Sequence, residues 1–332
     1  MKHMLLVRIA LFTLLIVSFM LSVSIGSTHI ALSDIWSAVF SYSDSKLHSI
    51  ILSIRIPRAL EAAVIGASLG AAGALMQAVT RNPLASPSIF GINAGASAAV
   101  VFLTVMFPAA AIPQVTMGAA FAGGTMAAVI VYAIASVFSE HSRDISFALV
   151  GVVIQAILAS ITQMLLIFHE ESTETILFWL SGSLAGSSWD KLNFLLPVSL
   201  AGLLFAFALG GTASVLSLGD DISQGLGQKV WLSRVLIGVT VVALAGASVS
   251  AAGPIGFIGL MVPHMIRYVM GADYRTVIPY SAVLGAVLLL LADIASRFVY
   301  YPYQTPVGVV TAFIGTPFFI YLARRRKEGS AS

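Results

Sequence analysis

Ten runs of about twenty apolar residues recur along this chain, and that recurrence limits the fold more than any single motif. A helix needs roughly 20 mainly apolar residues to cross a hydrocarbon core about 30 Å thick. The runs fall at about 5–25, 58–80, 88–107, 114–138, 146–168, 190–209, 234–252, 254–271, 277–299 and 305–323. Inside a bilayer the backbone polar groups of each run must pair within it, so each is expected to be a helix. Of the 332 residues, 58% are hydrophobic and 9% charged. A soluble domain carries about 25% charged residues, so this chain cannot cover itself for water. The expected architecture is all-α and integral to the membrane: one transmembrane domain over 1–332, with about ten spans.

The N-terminus admits two readings. Lys2 and Arg8 precede the apolar run Ile9 to Ile25, a pattern shared with cleaved signal peptides. The run is long for a signal and no Ala-x-Ala site follows, so an uncleaved first span is expected. Ten spans put both termini on one side. With the N-terminus inside, the inner segments hold Lys2, Arg8, Arg81, Arg143, Lys229, Arg234, Arg267, Arg275, Arg324, Arg325, Arg326 and Lys327. The outer side holds Lys46, Arg55, Arg58, Lys191 and Arg297. Twelve against five makes the first side cytoplasmic by the positive-inside rule. The tail 324–332 is then a cytoplasmic anchor. The net charge of +3 reflects this bias, not a nucleic-acid footprint.

Gly66-Ala67-Ser68-Leu69-Gly70-Ala71-Ala72-Gly73 echoes Gly246-Ala247-Ser248-Val249-Ser250-Ala251-Ala252-Gly253. One stretch runs inward and the other outward, as in transporters built from inverted repeats. Gly66 and Gly70, and Gly91 and Gly95, have the G-x-x-x-G spacing that lets helix backbones approach closely. Packing within one subunit is the expected use; a dimer or pore-lining face is the alternative. The tightest junction is Ala251-Ala252-Gly253-Pro254, which leaves almost no loop between spans seven and eight.

Charges inside spans are costly, so each is a functional candidate. Glu61 lies one turn into span two, close in sequence to Arg58, which suggests local charge balance. Asp293 and Arg297 stand four apart on span nine and can pair on one helix face. His264, beside Pro263 and Arg267, reads as structural or interfacial. No chain of carboxylates and histidines crosses the membrane, and no His/Asp/Glu cluster has metal-ligand spacing. There are no cysteines, which excludes disulfides and thiolate metal sites. The phosphate-binding pattern G-x-x-x-x-G-K-[ST] is missing too; Gly227-Gln228-Lys229-Val230 lacks its glycine frame. Any ATP-driven step therefore needs another subunit.

Two connections stand out. The inner one, about 210–233, carries Leu218-Gly219-Asp220-Asp221 and then an amphipathic stretch to Gly227, a pattern for short helices laid against a partner. The outer one, Thr175 to Trp189, is apolar and flanked by Glu170, Glu171 and Glu174; it is too short to span and reads as a re-entrant or surface helix.

Several blocks together resemble one known family. They are Arg55-Ile56-Pro57-Arg58; Gln77; Arg81-Asn82-Pro83-Leu84-Ala85-Ser86-Pro87; Gly91 and Gly95-Ala96; Phe178-Trp179-Leu180-Ser181-Gly182-Ser183-Leu184 with Trp189; Leu218-Gly219-Asp220-Asp221; and the long run Gly253 to Arg267, containing Gly256-Phe257-Ile258-Gly259-Leu260-Met261-Val262-Pro263-His264. In this order, over about 50–325, they resemble the FecCD-type permeases of ABC importers for ferric siderophores, haem and cobalamin. Ser86 departs from the family, which more often has Asp there.

The resemblance implies a type II importer fold and a dimer with the path between subunits, whether homomeric or paired with a sister permease. It implies two cytoplasmic ATPases seated against the loop at Leu218, Gly219, Asp220, Asp221 and Gly227, and an extracytoplasmic binding protein whose acidic residues meet Arg55, Arg58 and Arg297. It places Asn82, Pro83 and Leu84 near the cytoplasmic gate. The expected function is translocation of a ferric siderophore across a bacterial plasma membrane, with haem or cobalamin as alternatives, no cofactor in this chain and ATP held by the partners. Two rivals differ in class. An ion-coupled secondary transporter suits the repeat but lacks a relay; a membrane-embedded enzyme needs a partnered polar group inside the spans, and Asp293–Arg297 is a poor candidate because it sits near the outer end.

Overall fold

The computed structural model describes residues 2–26, 30–137, 143–169, 173–301 and 303–329. Glu170 and Glu171, two of the acidic residues flanking the outer connection, lie outside them. In chain order the helices are α1 (Lys2–Ser24), α2 (Leu32–Phe40), α3 (Lys46–Ile50), α4 (Ile56–Val79), α5 (Ile92–Met106), α6 (Pro113–Val137), α7 (Arg143–Phe168), α8 (Thr173–Leu180), α9 (Trp189–Ala208), α10 (Gly210–Leu216), α11 (Asp220–Gly225), α12 (Val230–Ala252), α13 (Ile258–Met270), α14 (Tyr274–Ser296) and α15 (Val307–Gly329). Among the described residues, seven are long and apolar enough to cross a membrane, and α5, α13 and α15 add three shorter apolar segments. These ten match the ten expected runs, and no strand occurs among the described residues.

Local sequence sets the irregular joints. Pro57 has no N–H and would break the helical ladder at its own turn. The chain answers with a π-helical turn, Ile51–Arg55, in which the Ile56 N–H reaches back to the Ile51 carbonyl. Helix therefore continues from Lys46 to Val79, and the expected start at residue 58 falls inside it.

A second joint departs further. Helix α12 stops at Ala252 because Gly253 takes φ +73°. Residues 253–257 then descend without helical structure, and α13 starts only at Ile258, after Phe257 at φ +68°. Gly308 of α15 lies against the Pro254 carbonyl and Gly315 against the Phe257 ring, so the descent runs alongside α15. The expected span 254–271 is thus a half-length helix preceded by extended chain.

Helix α4 is the axis of the bundle. Its apolar window is 78% buried, against 6% for α1 and 17% for α7, so α1 and α7 present apolar faces outward. Close backbone crossings hold α4 in place. A Cβ on Gly66 would strike the Gly285 carbonyl, and one on Gly70 the Ser281 carbonyl. Both glycines thus serve packing within the subunit. The second G-x-x-x-G pair divides: Gly95 crosses α6 at Gly123, whereas Gly91 is a left-handed cap at φ +72°. The two echoing stretches lie in α4 and α12, which pack together and run in opposite directions.

Candidate functional site

One end of the bundle gathers the three arginines. Helices α1 and α14 end there and α4 begins there. Arg58 Nε donates to Asp293 Oδ1 and Oδ2 at 3.0 and 3.1 Å, and its Nη2 donates to Oδ1 at 2.8 Å. Its Nη1 donates to Gln304 Oε1 at 2.7 Å. Arg297 donates to the opposite Asp293 oxygen, pairing along the helix face as its spacing predicts. Arg297 also donates to the Ser22 carbonyl at 2.7 Å and the Ser22 hydroxyl at 3.1 Å. The Ile25 carbonyl accepts from Arg297, and from Arg55 at 2.6 Å. These carbonyls close the C-terminus of α1, where the helix dipole is negative and favours cations. All three arginines are 7% exposed and Asp293 is fully buried.

Glu61 corrects the expectation of local charge balance. Arg58 is committed to Asp293 and Gln304, and no hydrogen bond of standard geometry reaches either Glu61 oxygen, both of which are buried. Lys191, from α9, adds its charge to that of Arg58 near Glu61. Lys191 Nζ in turn donates to the Ala251 carbonyl at 3.2 Å.

The same end holds the outer connection. Helix α8 turns at Gly182 (φ +72°). The Ser183 N–H then donates to the Ala252 carbonyl at 2.7 Å, and the Gly308 N–H to the Gly182 carbonyl at 3.0 Å. Trp189 Nε1 donates to the Leu52 carbonyl at 2.8 Å. The block from Phe178 to Trp189 is thereby stitched to the α12–α13 break, to α15 and to the π-turn.

The opposite end carries the other two groups of expected residues. After α4 the chain turns at Arg81, a non-glycine residue at φ +48°. Asn82 Oδ1 accepts from the Leu84 N–H at 3.0 Å, and the Ala85 N–H donates to the Asn82 carbonyl. Asn82, Pro83 and Leu84 form this compact, half-exposed turn. Buried Gln77 ties it inward, donating to the Ala85 carbonyl at 3.3 Å and the Leu260 carbonyl at 3.1 Å. Ser86 contacts the Ser88 hydroxyl at 2.6 Å. His264 packs edge-on against Phe318.

The segment about 210–233 forms two short helices, α10 and α11, joined at Gly219 (φ +114°). Asp220 and Asp221 occupy the first turn of α11, where carboxylates suit the helix dipole. Gly227 (φ +82°) turns the chain into α12. The Ser223 hydroxyl donates to the Val215 carbonyl at 2.9 Å and Gln228 Nε2 to the Thr212 carbonyl at 3.2 Å, closing the segment on itself. Ser214 donates to Asp273 Oδ1 at 2.8 Å and accepts from the Tyr274 N–H at 2.9 Å, fixing the segment to the start of α14. That hydroxyl, then the Arg275 N–H, holds the Asp273 carboxyl below the usual carboxylate range. Leu218, Ile222 and Leu226, four apart, are 58%, 52% and 65% exposed.

The model of the FecCD transport family matches residues 14–325. This chain belongs to the FecCD transport family. Among FecCD relatives, the Fe(3+)-citrate import system permease protein YfmD of Bacillus subtilis is 45% identical over 97% of this chain and 96% of that protein. The iron(3+)-hydroxamate import system permease protein FhuB of the same organism is 42% identical, covering 97% of this chain and 84% of its own length. The ferric enterobactin transport system permease protein FepD of Escherichia coli is 37% identical over 97% and 96%. A solved inward-facing metal-chelate type ABC transporter superposes with TM-score 0.84 at 26% identity, covering 96% of this chain and 99% of that one. The chain is thus a permease of a metal-chelate type ABC transporter, a transport component and not an enzyme.

Sequence reasoning missed Gln304, Ser22 and the α1 carbonyls as partners of the arginines, and Arg234 and Arg81 as partners of Asp220. Long-range partners of this kind leave no spacing signal. Proximity to motif residues was the one available clue for Arg81, which opens the Asn82-Pro83-Leu84 block.

Proposed function

We propose that this subunit translocates a ferric siderophore across a bacterial plasma membrane, with both termini cytoplasmic, as half of a permease dimer driven by two ATPase subunits. The observation that carries the reading is the ridge Leu218–Ile222–Leu226. It stands on a connection between spans, where water would meet it, yet it is apolar and more than half exposed. Such a ridge in a water-facing segment marks a protein contact, and it flanks a 530 Å³ recess lined by Asp220, Gln224, Gln228, Lys229 and Trp231. An ATPase seated there moves α10 and α11 when it binds ATP, and Ser214–Asp273 passes that motion to α14.

At the other end an extracytoplasmic binding protein delivers the chelate. Arg58 and Arg297 share the one Asp293 carboxylate, and Arg55 stands beside them on the Ile25 carbonyl. Because the guanidiniums are buried, they serve docking through their field, which steers encounter and register more than it adds affinity. The inner turn at Asn82, Pro83 and Leu84 acts as the cytoplasmic gate. Ferric citrate is the second reading of the cargo, supported by the 45% identity to a citrate import permease.

The test is uptake of radiolabelled iron by iron-limited cells lacking this gene, supplied in turn as ferric citrate, ferric hydroxamate and ferric catecholate. The siderophore reading expects loss of hydroxamate or catecholate uptake, restored by the wild-type gene. Loss of citrate uptake alone selects the second reading, and unchanged uptake of all three rejects both.

A further inference from the structure

Asp220 sits in the coupling segment, and its partly exposed carboxylate is held by two arginines. Oδ1 lies 2.9 Å from Arg234 Nη2, a hydrogen-bonded ion pair with the first turns of α12. The same oxygen lies 3.8 Å from Arg81 Nη2. Arg81 closes α4 and opens the turn of Asn82, Pro83 and Leu84. One carboxylate oxygen of the segment between α9 and α12 therefore contacts two other pieces of chain: the inner turn after α4 and α12.

Two backbone features at this point favour the meeting. Arg81 adopts φ +48°, uncommon for a residue with a side chain. Gly219, immediately before Asp220, adopts φ +114°, and a Cβ there would stand 3.5 Å from Arg81 Nη1. The guanidinium thus lies over the bare backbone of Gly219. The two contacts are unequal. The Arg234 pair has hydrogen-bond length, whereas the 3.8 Å separation from Arg81 is ionic contact beyond it. Both groups are about one-third exposed, so the contact with Arg81 can tighten or part without stranding a buried charge.

We propose that Asp220 is a positioning residue for transport: Arg234 anchors it, and through Arg81 it carries displacement of the coupling segment to the inner turn at Asn82, Pro83 and Leu84. This rests on the ATPase-driven reading above and deepens it by naming the link between the ATPase-facing segment and the gate. The ridge Leu218–Ile222–Leu226 receives the push, and Asp220 passes it on.

The experiment uses the intact importer, permease with its own ATPase and binding protein, in vesicles with trapped ATP and radiolabelled ferric citrate and ferric hydroxamate as probes. Uptake per ATP hydrolysed is compared for wild type, Asp220→Asn, Arg81→Ala and the double variant, with co-purification of the ATPase as control. The expected result is a fall of about tenfold in that ratio for each single variant, within the usual range of coupling between sites. The ATPase remains bound, and the double variant is no worse than the singles because both remove one shared link. An unchanged ratio, additive losses, or loss of ATPase binding in step with uptake would overturn the proposal. A wild type that takes up neither chelate in an ATP-dependent way rejects the importer reading itself, a separate and recognisable failure.

Discussion

Asp293 and Arg58, far apart in sequence, meet in a three-bond contact at 2.8–3.1 Å that ties the end of α14 to the start of α4. Arg297 holds the other side of the same carboxylate, so one acid neutralises part of two buried guanidiniums. Breaking a buried pair by deleting one partner costs about 3–5 kcal/mol, because the other charge is left uncompensated. Asp293→Ala is therefore expected to fall in that range, seen as lower membrane abundance and a lower Tm in detergent. Arg58→Leu/Asp293→Leu, which leaves only Arg297 without its carboxylate, is expected to be milder than Asp293→Ala, which strands both arginines.

The crossing of α4 over α14 predicts a sharp contrast among glycines. Gly70→Ala drives a methyl into the Ser281 carbonyl, backbone that cannot rotate away, and overpacking of this kind costs about 1–3 kcal/mol. Gly238→Ala, with nothing within 4 Å of the new methyl, is expected to be neutral or slightly stabilising. Thermal unfolding of the two purified variants measures the difference.

The apolar ridge predicts a loss of assembly without a loss of fold. Ile222→Asp changes an exposed position, where effects on stability stay within about 0.5 kcal/mol. Its removal from a buried contact is expected to cost about 2 kcal/mol or more of association. Co-purification of the ATPase subunits with the variant should fall while the Tm of the permease alone holds.

Asp273 predicts a pH dependence with a definite sign. Its carboxyl is held below the usual range by Ser214 and the Arg275 N–H. A depressed folded-state pKa contributes stability above the unfolded value, about 3.9 for Asp, and loses it as pH falls through the folded value. The contact is expected to be constant from pH 5 upward and to fade only in stronger acid. Ser214→Ala removes the bond to Asp273 and the one from the Tyr274 N–H, about 1 kcal/mol each, and loss of the first should shift the acid transition toward higher pH, followed as acid unfolding of the two proteins.

The sequence alone made the ten spans legible because each apolar run is long, and length is what a bilayer demands. The breaks were less so. Gly253-Pro254 announced a junction, but not that three further residues would descend unwound before Ile258, since the contacts of that stretch with α15 have no local signature. The pair Asp293–Arg297 followed from helical spacing. Arg58 was assigned to Glu61 by proximity, and tertiary geometry overrode it in favour of Asp293. The hairpin of α2 and α3 went unread because it is too short and too mixed to resemble a span. Its seal is His48, whose Nδ1 accepts from the Ser43 N–H while Nε2 faces the Ser37 hydroxyl at 3.1 Å.

The unbroken helix from Lys46 to Val79, 34 residues long, extends about 50 Å at 1.5 Å per residue, well beyond a hydrocarbon core about 30 Å thick. It bears Arg55 and Arg58 near one tip, and Arg81 follows directly on the other. A strut of that length, clamped at mid-height by Gly66 and Gly70 against α14, behaves as a lever with its fulcrum inside the membrane. On the docking proposed above, tilting the tip that bears the arginines would swing the other about the glycine crossings, a mechanical connection between the two faces of the membrane carried by one helix.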